Sequence, residues 1–185
     1  MSNKILIHIC CAPCLIAPYD NLIRQNFQVM GFWYNPNIHP YTEYKRRLHE
    51  VKRFSENHNF NIIYKDNYKL EEFLRNVVFR ENNRCQYCYY DRLLNTAIYA
   101  RRGKFDYFTT TLLYSKFQNH KQIIDIAQSL ANKYGVKFYY QDFRKLWKEG
   151  IELSKSEKMY RQQYCGCIYS ERDRYLGKKS VGRNA

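Results

Sequence analysis

The sequence predicts an α/β fold: a Rossmann-like parallel sheet of about five strands with helices on both faces. Two observations point to it. Short runs rich in β-branched and aromatic residues alternate with longer polar or amphipathic stretches, the order that a parallel sheet with helical crossovers requires. The 185 residues also suffice for one ordinary core, with no linker, internal repeat or low-complexity stretch to mark a second unit. One domain is expected over 1–171, followed by a basic, glycine-containing, frayed tail over 172–185.

The elements follow in order. Ile5, Leu6, Ile7 and Ile9 make a continuous apolar run, so Lys4 to Cys10 reads as a buried strand. Pro13 suits the first turn of a helix reaching about Asn26. Gln28 to Asn35 is a second strand. Asn35, Pro36, Asn37, Ile38, His39 and Pro40 form a loop by their turn chemistry. A polar helix follows from Tyr41 to Asn57, then a third strand over Asn61 to Lys65 and a helix over Lys69 to Arg80. An Asn-rich loop precedes Cys85, and another helix covers Cys88 to Arg101. Tyr107 to Leu113 is a fourth strand. Gln118 to Tyr134 is helical and ends at Gly135, which tolerates left-handed geometry. Val136 to Gln141 is a fifth strand. A polar helix over Arg144 to Ser156 leads into an irregular end. In such a sheet ligands gather beyond the carboxyl ends of the strands, where Cys10, Cys11 and the threonines at 109–111 fall.

Formal net charge is +14, and 19 residues are tyrosine. A cationic excess of this size attracts polyanions, so nucleic acid is the expected partner. No apolar run approaches the ~20 residues of a membrane span. The N-terminus lacks the pattern of a signal peptide. A cytoplasmic protein with no membrane partner is expected, and a reducing compartment disfavours a structural disulfide framework.

All seven cysteines fall into three groups: Cys10, Cys11 and Cys14; Cys85 and Cys88; Cys165 and Cys167. A C-x-x-C pair at a helix start points two sulfurs at one metal or cluster, and iron–sulfur clusters usually take four thiolates. Cys10, Cys11, Cys85 and Cys88 would supply four, provided the chain bends before Pro13. The helix start after it, and Arg84 beside Cys85, favour thiolates. Gly166 lets the sulfurs of Cys165 and Cys167 adopt unusual geometry, suited to an exchangeable disulfide or to two ligands on one metal. Cys14 is left to a second metal or to packing. Zinc fits these residues as well as iron does. A zinc-stabilised RNA-binding module and a thiol–disulfide oxidoreductase therefore stand beside a redox metalloenzyme. Lys45, Arg46 and Arg47, and Arg101, Arg102 and Lys104, are candidate RNA phosphate contacts, with Trp33, Tyr34 and Tyr114 as candidate base platforms.

At these residues the chain resembles the cobalamin-independent epoxyqueuosine reductases, the QueH family. The matching motifs are Ile5 to Pro13; Asn35 to Pro40 with Glu43, Tyr44 and Arg47; Arg84 to Tyr89 with Arg92 and Leu93; Thr110 to Leu112 with Ser115 and Lys116; Asp142 to Lys145; and Tyr160 to Cys167 with Ser170. They run in order over residues 5–170. The resemblance implies a fold akin to the adenine-nucleotide α-hydrolases. It implies a [4Fe–4S] cluster on Cys10, Cys11, Cys85 and Cys88, and a redox or metal role for Cys165 and Cys167, with a second iron or other metal ion as a further expectation. It implies deoxygenation of epoxyqueuosine in tRNA, fed by an electron donor that the sequence does not identify. The glycine-rich phosphate loop of nucleotide-activating relatives is replaced by Cys10 to Cys14, so ATP use is not expected. Asp91, Tyr89 and Tyr164 lie beside the cysteines as candidate proton donors.

Overall fold

The computed structural model describes residues 3–177. Five parallel strands run β3-β2-β1-β4-β5: β1 (Lys4–Ile9), β2 (Gln28–Trp33), β3 (Ile62–Tyr64), β4 (Tyr107–Thr110) and β5 (Lys137–Phe138). Seven helices connect and cover them: α1 (Ala12–Arg24), α2 (Tyr41–Asn57), α3 (Leu70–Val77), α4 (Arg84–Arg102), α5 (His120–Tyr134), α6 (Trp147–Ser156) and α7 (Ile168–Tyr175). β1 is central because it can be: its side chains from Ile5 to Ile9 are all buried, as in a strand covered on both faces, and all are apolar but His8, whose ring nitrogens are both hydrogen-bonded. It pairs with β2 through Lys4 to Ile9 and with β4 through Ile5 to His8. The chain leaves β1 toward β2 on one side and returns through β4 on the other. The carboxyl ends of β1 and β4 therefore flank a topological switch point, the usual place for a ligand.

Several elements end elsewhere than the sequence predicts. α4 starts at Arg84, so Cys85 and Cys88 lie in its first turn and not before it. Arg84 secures that start by donating to Glu81 O at 2.8 Å and pairing with Asp173 at 2.6 Å. β4 stops at Thr110 because the Thr110 side chain accepts from Leu112 N–H and turns Thr111–Tyr114 into a 3-10 turn. β5 has two residues instead of six; Gln141 is drawn away to Asn21 of α1, and Tyr139 to Gln25 beyond its end. α7 occupies a stretch expected to be irregular. Its last residues, 172–175, are helical where the tail was expected to begin, and Asp173 ties them to Arg84. The rest of that expected tail, 178–185, lies outside the described residues. α2 and the left-handed Gly135 after α5 agree with expectation. No helix among the described residues is long and apolar enough to cross a membrane.

Candidate metal centre

The switch point carries the first cysteine group. Cys10 follows β1 directly, and Cys11 is the N-cap of α1 with extended backbone. That bend puts the sulfurs of Cys10 and Cys11 on the same side, 3.8 Å apart. Cys14, one turn into α1, joins them: the three sulfurs lie within 4.8 Å of one another, the one such group of metal-ligating side chains among the described residues. Cys10 N–H donates to Thr111 Oγ1 at 3.0 Å, and the Thr111 hydroxyl lies 3.2 Å from Cys10 Sγ, so the β4 end closes over the β1 end. Gln162 reaches in from the closing segment and donates to Cys11 Sγ at 2.9 Å. Hydrogen bonds from Cys11 and Cys14 pull the Cys10 thiol well below its ordinary range, while burial pushes Cys11 up. One thiol of the three is thus poised to ionise first.

The other four thiols lie at the start of α4 and on the closing segment, where Cys88 and Cys167 share a small apolar cluster with Phe73 and Val77. Cys88 is buried, and it feels the charges of Cys165, Cys167 and Cys85. Cys85 and Cys165 reach the surface. All seven cysteines are free thiols. The sulfurs thus comprise one converged group of three and four others. The quartet expected from sequence, Cys10, Cys11, Cys85 and Cys88, takes two from the three and two from the four, and Cys14 belongs with Cys10 and Cys11 and is not left over.

Arg92 stands between the groups. It is 2 % exposed. Its Nε donates to Cys88 O at 3.0 Å and its Nη2 to Cys88 Sγ at 2.9 Å. It feels Cys88, Cys165 and Cys10. No carboxylate lies within ion-pair distance of it among the described residues. A buried guanidinium is costly without an anion, and its hydrogen-bond partners here are the Cys88 carbonyl and sulfur, the latter a thiol that burial pushes up.

Arg47, expected on the RNA surface, is buried instead, at 1 % exposure. It faces inward because the α2 register puts it one turn past Glu43, with which it pairs at 2.6 Å. Its other nitrogens donate to Cys165 O at 2.8 Å and to Tyr164 O at 3.0 Å. His39 N–H donates to Gly166 O at 2.8 Å, and the Tyr164 hydroxyl to His39 O at 2.6 Å. The 35–40 loop and Arg47 thus hold the Cys165–Cys167 segment in place. Gly166 has φ +154, and an added Cβ would press on Ile38, Asn37 and Arg47.

The remaining candidates separate by position. Lys45 and Arg46 are exposed early in α2, which starts where β2 ends, on the cysteine side. Arg101, Arg102 and Lys104 are exposed at the far end of α4. The 13 to 17 residues between them and the helix's cysteines, at ~1.5 Å each, put them about 20–26 Å along the helix, at the opposite edge of the sheet. Trp33, Tyr34 and Tyr114, expected as base platforms, are buried in the core at 0 %, 2 % and 3 % exposure. Asp91, one turn after Cys88, is half-buried and accepts from the Tyr34 hydroxyl at 3.1 Å. Burial pushes its carboxyl above the usual carboxylate range. The Tyr89 hydroxyl donates to Gln118 Oε1 at 2.8 Å, and Tyr164 is committed to His39. The sequence reading placed Thr111 on the ligand side of the sheet and held Gln162 only within the Tyr160 to Cys167 motif, and it missed Gln118, because a polar side chain far along the chain from the cysteines carries no local signal.

His8 is fully satisfied by Thr110 Oγ1 at 3.0 Å and Tyr34 O at 3.1 Å. His39 is different. Its ring packs against Phe73 and Tyr68, and neither ring nitrogen finds a hydrogen-bond partner among the described residues. Burial pushes its pKa down to about 4 from 6.5. The unfolded chain therefore binds a proton that the folded one refuses between pH 6.5 and 4, and stability falls as pH drops through that window, by at most ~1.4 kcal/mol per pH unit. Guanidinium unfolding of the metal-free protein at pH 7 and pH 5 is expected to show the loss, and His39→Asn to remove only its own share, since burial lowers the pKa of His8 to about 4 as well.

The profile of the family described as "Epoxyqueuosine reductase QueH" matches residues 5–173. A relative of that name from Dehalococcoides mccartyi is 38% identical over 175 residues, covering 95% of this chain and 96% of its own. One from Thermotoga maritima is 36% identical over 191 residues, covering 98% and 97%. Among solved structures, a predicted subunit of tRNA methyltransferase from Methanocaldococcus jannaschii superposes with a TM-score of 0.51 over 86% of this chain and 93% of that one; at 13% identity this likeness concerns the fold alone. The fold is thus the expected Rossmann-like α/β sheet, its switch point carries a buried cysteine triad suited to metal, and the chain belongs to the epoxyqueuosine reductase QueH family.

Proposed function

We propose that this protein is an iron–sulfur oxidoreductase that reduces epoxyqueuosine to queuosine at the wobble position of tRNA. The observation that carries the reading is the convergence of thiols at the switch point, three of them within 4.8 Å, in a chain of this family. The reaction breaks both C–O bonds of the epoxide and forms a C=C bond. It consumes two electrons and two protons, and the oxygen leaves as water. The electrons enter from a separate donor.

The donor set fits a thiolate-bound metal. Three sulfurs within 4.8 Å of one another are soft donors of the kind that iron and zinc both take. Cys10, Cys11, Cys85 and Cys88 are the proposed ligands of a [4Fe–4S] cluster. Arg92, in contact with Cys88 and feeling Cys10, balances their charge. Cys14 is a candidate ligand of a second metal by its closeness to Cys10 and Cys11. Cys165 and Cys167 act either at that metal or as a redox-active thiol pair. A bound cluster supplies electrons singly, which side chains do not. The chain's own part is to hold and move protons and to place the substrate. Asp91 keeps a proton more readily than an exposed carboxyl, with Tyr34 orienting it, and is the proposed donor to the leaving oxygen. Arg47 and the 35–40 loop fix Cys165 at the surface, beside Gln118 at 3.3 Å.

The test is reduction of epoxyqueuosine-containing tRNA by protein reconstituted anaerobically with iron and sulfide, using a chemical electron donor. Loss of one oxygen from the nucleoside by mass spectrometry is expected only with iron present. Equal turnover by iron-free or zinc-loaded protein would remove the reading.

A further inference from the structure

The surface beside the cysteines carries aromatic rings that no fold requirement explains. Tyr114 is buried next to the triad, and it feels Cys14, Cys11 and Cys10. Trp147, the first residue of α6, stacks on it, with ring centroids 5.2 Å apart and planes at 27°. Phe117 then meets Trp147 edge-on at 6.2 Å. Phe117 itself is 84 % exposed. A ladder of three rings thus leads from the metal centre to water and ends on a bare phenylalanine. The next residue, Gln118, touches Cys165 Sγ at 3.3 Å, so the ladder's outer end lies at the mouth of the site.

The ladder's surroundings are cationic. Lys116 Nζ lies 5.3 Å above the Trp147 ring. Lys145 and Lys148 flank Trp147 in sequence and are exposed, and Arg161 is exposed and within electrostatic reach of Tyr114. Of the three acids within five positions of Trp147, Asp142 and Glu149 are each held in an ion pair, with Arg144 and Arg24, and Glu152 is exposed. A bare ring amid free cations fits a stacked base followed by phosphates better than it fits an apolar protein face.

We propose that Phe117, backed by Trp147, is the stacking platform for a base of the anticodon loop that flanks the modified nucleotide, with Lys116 taking an adjacent phosphate. The proposal rests on the RNA substrate of the preceding reading and assigns it a docking point. The platform holds the loop while the target nucleotide turns in past Cys165. It also explains why buried Trp33 and Tyr34 are not needed for base contact.

The test is fluorescence anisotropy of a labelled anticodon stem-loop from a tRNA decoding Tyr, titrated with iron-reconstituted protein. Phe117→Ala is expected to weaken Kd roughly tenfold or more, the scale of one base–aromatic stack. Phe117→Trp should hold the affinity, since a larger ring still stacks. An exposed side chain has little part in folding, so visible absorbance and circular dichroism should match the wild type in both variants. Wild-type affinity in Phe117→Ala overturns the platform while the RNA reading stands. No saturable binding by the wild type overturns the RNA reading itself, and the platform with it.

Discussion

Cys88→Ala is expected to lose iron, visible absorbance and epoxide reduction together, down to the background of protein-free controls. Cys88 is the buried sulfur on which Arg92 rests, at 2.9 Å, and it feels the three other thiols outside the triad. Its loss removes a proposed cluster ligand and strands a buried guanidinium. The lost hydrogen bond to a charged group is worth about 1.5–3 kcal/mol, so some destabilisation is expected as well. Arg92→Met separates the two effects. In the metal-free protein Arg92 is a buried cation without a carboxylate, so Met in its place should leave unfolding stability unchanged or raised. In the reconstituted protein the same change removes the charge that balances the thiolates, so iron retention should fall. Iron content by colorimetric assay and denaturant midpoints, with and without metal, check both. A Cys88→Ala protein with full iron and activity would refute the ligand assignment. An Arg92→Met protein that holds iron as well as the wild type would refute the charge-balance role.

Arg47→Met is expected to destabilise the protein by about 3–5 kcal/mol, because it leaves Glu43 buried without its cation. Arg47 and Glu43 are 1 % and 6 % exposed at the side chain. The remaining partner of Glu43 is the Tyr160 hydroxyl. The change also frees the carbonyls of Cys165 and Tyr164. Glu43→Gln combined with Arg47→Met should recover part of the stability by removing the stranded charge, but not the anchoring of the cysteine segment. Alkylation of Cys167, buried in the wild type, should therefore stay fast in the double variant. Denaturant unfolding and mass-spectrometric thiol mapping measure the two separately. Had Arg47 been a phosphate contact on the surface, its removal would cost little stability and would flatten the salt dependence of RNA binding. Its burial points to the opposite outcome.

The fold class was legible because periodicity is local. The apolar run of β1, the polar repeat of α2 and the glycine after α5 each declare themselves within a few residues, and alternation then implies a parallel sheet. The three cysteine groups were equally legible, since C-x-x-C and C-x-C spacings are local too. What the sequence could not rank was distance between segments far apart in the chain. It left Cys14 over, because Cys10, Cys11, Cys85 and Cys88 already supplied the four thiolates that a cluster usually takes. The sheet order decided that point: with β1 beside β4, the bend at Cys10 and Cys11 folds both sulfurs back toward Cys14 under Thr111. It read Arg47 as surface charge, because charge on a polar helix is usually solvated. Only the packing of α2 against the closing segment turned that arginine inward, where the Glu43 carboxylate one turn back and two carbonyls, brought from 117 and 118 positions away along the chain, compensate it. It offered Trp33 and Tyr34 as platforms and passed over Phe117, because exposure is a property of the assembled surface. Composition and spacing thus determined that this chain is a basic α/β protein with thiols at metal-ligand spacing. Tertiary structure decided which thiols meet, which arginines serve them and which ring faces water, because burial and proximity arise only when distant segments pack.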